Sequence, residues 1–228
     1  MNAKISDVFF DLDHTLWDFE KNSALAFETI FKKHNIDLDL HAFLNHYNPI
    51  NFQYWQLYQH DKITTAELRY GRLKDVFDLM DLEVTDALID LLSDEYIHYL
   101  PQHNHLFEGT IEILDYLKDK YNLHIITNGF HEVQGNKIKN SKIGHYFSTI
   151  TNSEMAGVKK PNPQIFEYAL QLAKTKKETS IMIGDSFEAD VEGAMNSGID
   201  AIFFNTNNVQ VDQKIKQISH LKALKNYL

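Results

Sequence analysis

The 228-residue chain contains no cysteine, which excludes both a disulfide framework and a zinc centre built on thiolates. It is also short of positive charge: 22 lysines and arginines face 32 aspartates and glutamates, for a net charge of −10 with the 12 histidines neutral. A basic footprint for nucleic acid or an anionic membrane is therefore missing, and neither is expected as a partner. No apolar run approaches the roughly 20 residues that span a bilayer. The start of the chain lacks a basic-then-apolar targeting segment, so the expected location is cytoplasmic. No internal repeat, low-complexity tract or long flexible linker interrupts the sequence.

What is present suits a large core, with 43% hydrophobic and 24% charged residues. Four apolar runs, 8–10, 123–126, 181–183 and 201–204, are nearly continuous rather than alternating, the pattern of parallel strands buried on both faces. A weaker fifth covers 148–150. Helical patterns fall between them at 110–120, 134–139, 163–173 and 188–196. This alternation predicts an α/β fold, a doubly wound parallel sheet with a Rossmann-like core. One interval breaks it. From 16 to 103 the patterns are helical only, at 23–34, 52–59, 65–80 and 85–99, which predicts an inserted all-helical cap domain over the carboxyl ends of the strands. The expected domains are a catalytic core of 1–15 and 104–228 and a cap of 16–103, hinged near 17–20 and 101–105. The aromatic group Tyr47, Phe52, Tyr54, Trp55 and Tyr58 is expected mostly to fill the cap's interior.

The first apolar run closes on Asp11-Leu12-Asp13-His14-Thr15. Residues two apart on a strand point the same way, so the two carboxylates are expected on one face, one able to attack while the other moves protons. Three more polar clusters follow strand-like runs: Thr127-Asn128-Gly129, Lys159-Lys160-Pro161, and Gly184-Asp185-Ser186 with Asp190. In an open α/β sheet such strand ends converge on one edge. A hydroxyl, backbone amides and a lysine suit anionic oxygens, and a set of hard oxygen donors without matching histidines favours Mg²⁺. Taken singly, the clusters have plainer readings. Asn128-Gly129 is a turn signal, and Asp190 suits the start of a helix. Lys159 and Lys160 are chemically equivalent, and His14 reads as a turn or surface residue.

Together, in this order and at these positions, the four clusters resemble the motifs of the haloacid dehalogenase-like superfamily of phosphohydrolases, over essentially the whole chain. The resemblance implies Asp11 as a nucleophile that forms an aspartyl-phosphate and Asp13 as the acid, then the base. It also implies Mg²⁺ bound by Asp11, by the Asp13 carbonyl and by Asp185, with Asp190 behind them, and a phosphoryl group held by Thr127, the Asn128 amide and Lys160. A finer likeness to the pyrimidine nucleotidase (5′-nucleotidase) group rests on Leu16-Trp17-Asp18-Phe19, on Thr127 to Phe130 with Gln134, and on the stretch from Trp55 to Arg72. It implies small phosphorylated substrates, nucleoside 5′-monophosphates first, with Trp17, Phe19 and Phe130 as candidates for shaping the pocket. The group often carries glycine where this chain has Asp61. A sugar-phosphate or phosphoglycolate-type phosphatase or phosphomutase would keep the same core motifs. A 2-haloacid dehalogenase would need neither metal nor second acid, and an inactive binding module would be expected to lack one of Asp11, Asp13, Lys160 or Asp185.

Overall fold

The computed structural model describes residues 4–228; residues 1–3, where the expected core begins, lie outside the described residues. The first strand, β1 (Asp7–Phe10), is followed by four helices, α1 (Phe19–Lys33), α2 (Leu40–Gln59), α3 (Thr65–Leu79) and α4 (Asp86–Tyr99). Alternation then begins with α5 (Thr110–Lys118), β2 (Asn122–Thr127), α6 (His131–Asn140), β3 (Phe147–Asn152) and α7 (Ser153–Ala156). It continues with α8 (Pro163–Ala173), β4 (Ser180–Gly184), α9 (Gly193–Asn196), β5 (Asp200–Phe204) and β6 (Gln217–Ile218). The chain separates into two compact units, Met1–Phe19 with His105–Leu228, and Glu20–Asn104. None of the described helices is long and apolar enough to cross a membrane.

The first unit holds the α/β sheet. Its six strands form one sheet in the order β3-β2-β1-β4-β5-β6, every neighbouring pair parallel. The continuous apolar runs are buried strands because helices cover both faces; Val8, Phe9 and Phe10 are fully buried. On one face Phe9, Ile126, Met182 and Phe203 pack with Ile165 and Phe166 of α8 and Ala194 of α9. The weak run at 148–150 is a full strand, β3. Strand β6 has two residues, too short for any periodicity to announce. In place of a regular helix over 188–196, residues Phe187–Glu192 form a π-helical turn that leads into α9.

Strands β2, β1 and β4 are adjacent, with Phe10 paired to Ile125 on one side and Ile183 on the other. Their carboxyl ends therefore deliver Asp11, Thr127 and Asp185 to one edge. Of the two residues expected on one strand face, Asp11 and Asp13, neither lies within β1, which ends at Phe10. Strand pairing stops at Phe10, and the chain turns sharply: Leu16 N and Trp17 N both donate to Leu12 O at 2.9 and 2.8 Å, and His14 N donates to Trp17 O at 3.0 Å. His14 holds the turn with a left-handed φ of 60°, a conformation uncommon outside glycine. The two carboxylates consequently face different partners.

The two crossings into the helical unit run side by side. Trp17 forms an antiparallel bridge with Leu106, Asp18 N donates to His105 O at 3.0 Å and Phe107 N to Leu16 O at 3.0 Å. The Thr110 hydroxyl adds a bond to Leu16 O at 3.2 Å.

Within the helical unit, side-chain caps mark three helix starts. Asp39 accepts from His41 N and Ala42 N, Thr85 from Leu88 N, and Thr64 and Glu67 form a reciprocal capping box, each satisfying amides the helix itself cannot. Helix α2 begins at Leu40 rather than Phe52 and contains Pro49, a residue that ordinarily ends a helix. Its buried positions, Phe43, Tyr47 and Asn51, fall four apart on one stripe. Phe52 therefore lies off that stripe and is 63% exposed, and Tyr54, Trp55 and Tyr58 are half-buried, so of the group expected mostly to fill the interior only Tyr47 is buried. The aromatic centre is Phe27, whose ring lies 4.5–5.5 Å from those of Phe31, Phe43, Tyr47 and Tyr96. Truncation of a fully buried phenylalanine costs about 3–5 kcal/mol, so Phe27→Ala should lower unfolding free energy by that amount in urea titrations. A cost under about 1 kcal/mol, the range of a surface change, would show that this ring does not anchor the helices.

Candidate active site

Lys160 is the hub of the edge. It is 2% exposed, and its ammonium donates to Asp11 Oδ1 at 2.6 Å, Asp190 Oδ1 at 2.6 Å and Ile126 O at 2.7 Å. A cis Lys160–Pro161 bond follows it. Its backbone is bracketed by Asn128, whose side-chain amide donates to Lys160 O at 2.9 Å and whose Oδ1 accepts from Lys160 N at 2.7 Å. The Asn128 side chain is thus spent on joining two of the clusters, leaving its backbone amide for a ligand. The pairing also separates the two lysines: Lys160 is inside, while Lys159 is half-buried.

The π-helical turn aims Asp190 inward. Its Oδ2 accepts from Ser186 N at 3.0 Å, so both carboxylate oxygens are engaged. A β-carbon on Gly184 would sit 2.2 Å from Asp190 Oδ2, so only glycine leaves space for that carboxylate. Asp185 accepts from the Thr15 hydroxyl at 3.2 Å. Asp11 keeps Oδ2 without a hydrogen-bond donor among the described residues, the condition a nucleophilic oxygen requires.

Asp13 stands apart from these three acids. Its Oδ2 accepts from Gln134 Nε2 at 2.7 Å and its Oδ1 from Lys137 Nζ at 2.6 Å. The same Gln134 nitrogen lies 2.7 Å from Thr127 Oγ1, which also accepts from Gly129 N at 3.1 Å. With both lone pairs of that hydroxyl oxygen used, its proton is left for an outside acceptor. Gly129 is needed for room rather than for a turn, since a β-carbon there would sit 2.3 Å from Gln134 Nε2.

The seven motif residues thus fall into three bonded groups at one edge: Lys160 with Asp11, Asp190 and Asn128, Asp13 with Thr127 through Gln134, and Asp185 with Thr15. Trp17, Phe19 and Phe130 are buried, at 0%, 7% and 8% exposure, and Trp17 presents no open face; its ring centroid lies 4.4 Å from the Lys137 ammonium. Three further members, Thr15, Gln134 and Lys137, were not assigned roles from sequence. The signal available for the last two is their spacing of three on one helix.

Charge is the site's strongest physical feature. Oxygens of Asp11, Asp185 and Asp190 lie within 4.8 Å of one another, three carboxylates against the single ammonium of Lys160. Burial, with the neighbouring acids adding to it, raises the proton affinity of Asp11 well above the usual carboxylate range even against the Lys160 charge. Burial and the Asp190 charge push Asp185 up to about 8. For Lys160 burial acts the other way, but Asp11 and Asp190 outweigh it and the ammonium is held charged. With all three carboxylates ionised, three negative charges against one positive leave a deficit of two. A hard dication bound by oxygen fits that deficit and that donor set.

Residues 8–204 match the family of haloacid dehalogenase-like hydrolases. The chain is 32% identical over 205 residues to pyrimidine 5′-nucleotidase PynA of Streptococcus pneumoniae, covering 89% of this chain and 85% of that protein. It is 30% identical over 213 residues to glyceraldehyde 3-phosphate phosphatase of Methanothermobacter thermautotrophicus, covering 90% and 88%. The crystal structure of HAD-hydrolase YfnB of Bacillus subtilis, bound to magnesium, superposes with a TM-score of 0.89 at 27% identity over 99% of both chains.

A proton and a cation compete for the same oxygens. Because folding raises the affinity of Asp185 for a proton, stability without a cation falls as pH rises through the window ending near 8. Mg²⁺ at about 100 times its dissociation constant should add about 2.7 kcal/mol. The shift in thermal midpoint should be larger at about pH 8.5 than at about pH 6, and Asp185→Asn should abolish it. A midpoint indifferent to Mg²⁺ at both pH values would count against a cation site here.

Proposed function

We propose, from the premise that this chain belongs to the haloacid dehalogenase-like hydrolase family, that it is a Mg²⁺-dependent phosphomonoester hydrolase acting on nucleoside 5′-monophosphates through an aspartyl-phosphate. The observation that carries the chemistry is the cluster of buried Asp11 and Asp190 with half-buried Asp185 beside one buried lysine, with Asp11 Oδ2 left unengaged. The likeness to a pyrimidine 5′-nucleotidase supports the substrate class. Likeness to a glyceraldehyde 3-phosphate phosphatase supports a second reading, a sugar-phosphate substrate on the same site.

In this reading Asp11 Oδ2 attacks phosphorus, and an O–P bond forms as the bond to the leaving oxygen breaks. The carboxyl proton of Asp13 passes to that oxygen, releasing the alcohol. Water then attacks the phosphorus of the acyl phosphate and gives its proton to Asp13, and the Asp11 carboxylate returns as inorganic phosphate forms. The Thr127 hydroxyl, the Asn128 amide and the Lys160 ammonium hold the equatorial oxygens, where charge must be met by fixed donors. Asp11, the Asp13 carbonyl and Asp185 would hold Mg²⁺, which when bound would neutralise further phosphoryl charge. Asp190 keeps Lys160 and the loop at Ser186 in place.

Phosphate release should be measured over nucleoside 5′-monophosphates and glyceraldehyde 3-phosphate, with and without Mg²⁺. Turnover should require the metal and favour the nucleotides; preference for the sugar phosphate would favour the second reading. Asp11→Asn should remove turnover while leaving the circular dichroism spectrum unchanged. Wild-type rates from that variant would refute Asp11 as nucleophile.

A further inference from the structure

We propose that Gln134 and Lys137 are positioning residues that clamp the Asp13 carboxyl group for transfer of its proton to the leaving oxygen, an inference that rests on the phosphatase reading above. The two lie three apart on α6 and so share a face of that helix. From that face they reach opposite oxygens of the same group, at 2.7 and 2.6 Å. An aspartate side chain otherwise turns about two bonds, and a hydrogen bond to each oxygen removes that freedom. One donor per oxygen still leaves each a lone pair for the transferring proton.

The clamp is itself held. Lys137 is 2% exposed, its ammonium covered by the rings of Trp17 at 4.4 Å and Phe19 at 5.3 Å, where a desolvated cation gains from the ring faces. Gln134 is tied to the Thr127 hydroxyl at 2.7 Å and lies close enough to the backbone to require Gly129. Asp13 contrasts with both: its side chain is 21% exposed, against 3% for that of Lys137. A group anchored from behind and open in front can meet a substrate oxygen at a fixed place. That is the arrangement proximity effects demand, where about 1 Å of misplacement costs on the order of 100-fold in rate.

Leaving groups separate this role from plain structural support. An alkoxide leaving from a nucleoside monophosphate needs a proton, whereas nitrophenolate leaving from p-nitrophenyl phosphate does not. Lys137→Met should lower kcat/KM for the nucleotide by about 100-fold, the range of general acid catalysis, and for p-nitrophenyl phosphate by less than about threefold, with KM little changed; Gln134→Leu, which also releases the Thr127 hydroxyl, should lower both but show the same excess loss on the nucleotide. The parameter kcat/KM covers only steps up to loss of the leaving group, so later hydrolysis of the acyl phosphate does not blur the comparison. If Lys137→Met fails to fold, Gln134→Leu carries the same test. Equal losses on both substrates, or no loss on either, would overturn the clamp. Wild-type protein that releases phosphate from neither ester would overturn the phosphatase reading itself, and the clamp with it.

Discussion

The ammonium of Lys160 is the point on which the site depends. It lies among carboxylates that burial would otherwise drive toward their neutral forms, and it joins β2, the loop after β1 and the π-helical turn through three bonds shorter than 2.8 Å. Taking away one partner of a buried ion pair costs about 3–5 kcal/mol because the other is left uncompensated. Here two acids would be stranded at once. Asn128 and Asp190 are understandable as means of placing this one charge.

A second cation, Lys137, serves the other acid, and the division is informative. Asp11 and Asp190 share one lysine, with Asp185 close by, and the three remain short of positive charge, whereas Asp13 has an ammonium of its own. The sharp turn from Leu12 to Trp17 makes the division possible by turning the chain away from the line of β1. Glycines then set the tolerances: Gly184 admits Asp190 and Gly129 admits Gln134, both by lacking a β-carbon at distances no side chain could share.

Much of this was legible in the sequence, for stated physical reasons. Buried parallel strands are apolar throughout, so β1, β2, β4 and β5 stand out, and polar residues directly after them mark the edge. Helix α8 was bounded by Pro163 at its start, as a fixed φ favours. What escaped depends on contacts that spacing alone does not encode. Lys137 looks like any helical lysine until the rings of Trp17 and Phe19 cover it. The π-helical turn at Phe187–Glu192 differs from an α-helix by one residue in each hydrogen-bonded loop, below what an apolar pattern resolves. The early start of α2 was hidden because Pro49 suggests a break where the helix continues. Aromatic density from Tyr47 to Tyr58 does not by itself mark the interior, because the four-residue stripe decides burial and Phe52 falls off it.

The paired crossings at Trp17–Leu106 and Asp18–His105 have a consequence for how such a chain can change over time. The ends of the inserted segment are fastened to each other by bonds belonging wholly to the α/β unit, so the closure of that long loop is set before the inserted helices contribute anything. Loop-closure entropy grows only with the logarithm of length. Lengthening, shortening or replacing the helices therefore costs the sheet little, and the inserted segment is free to diversify as a cassette while the strand ends stay under constraint.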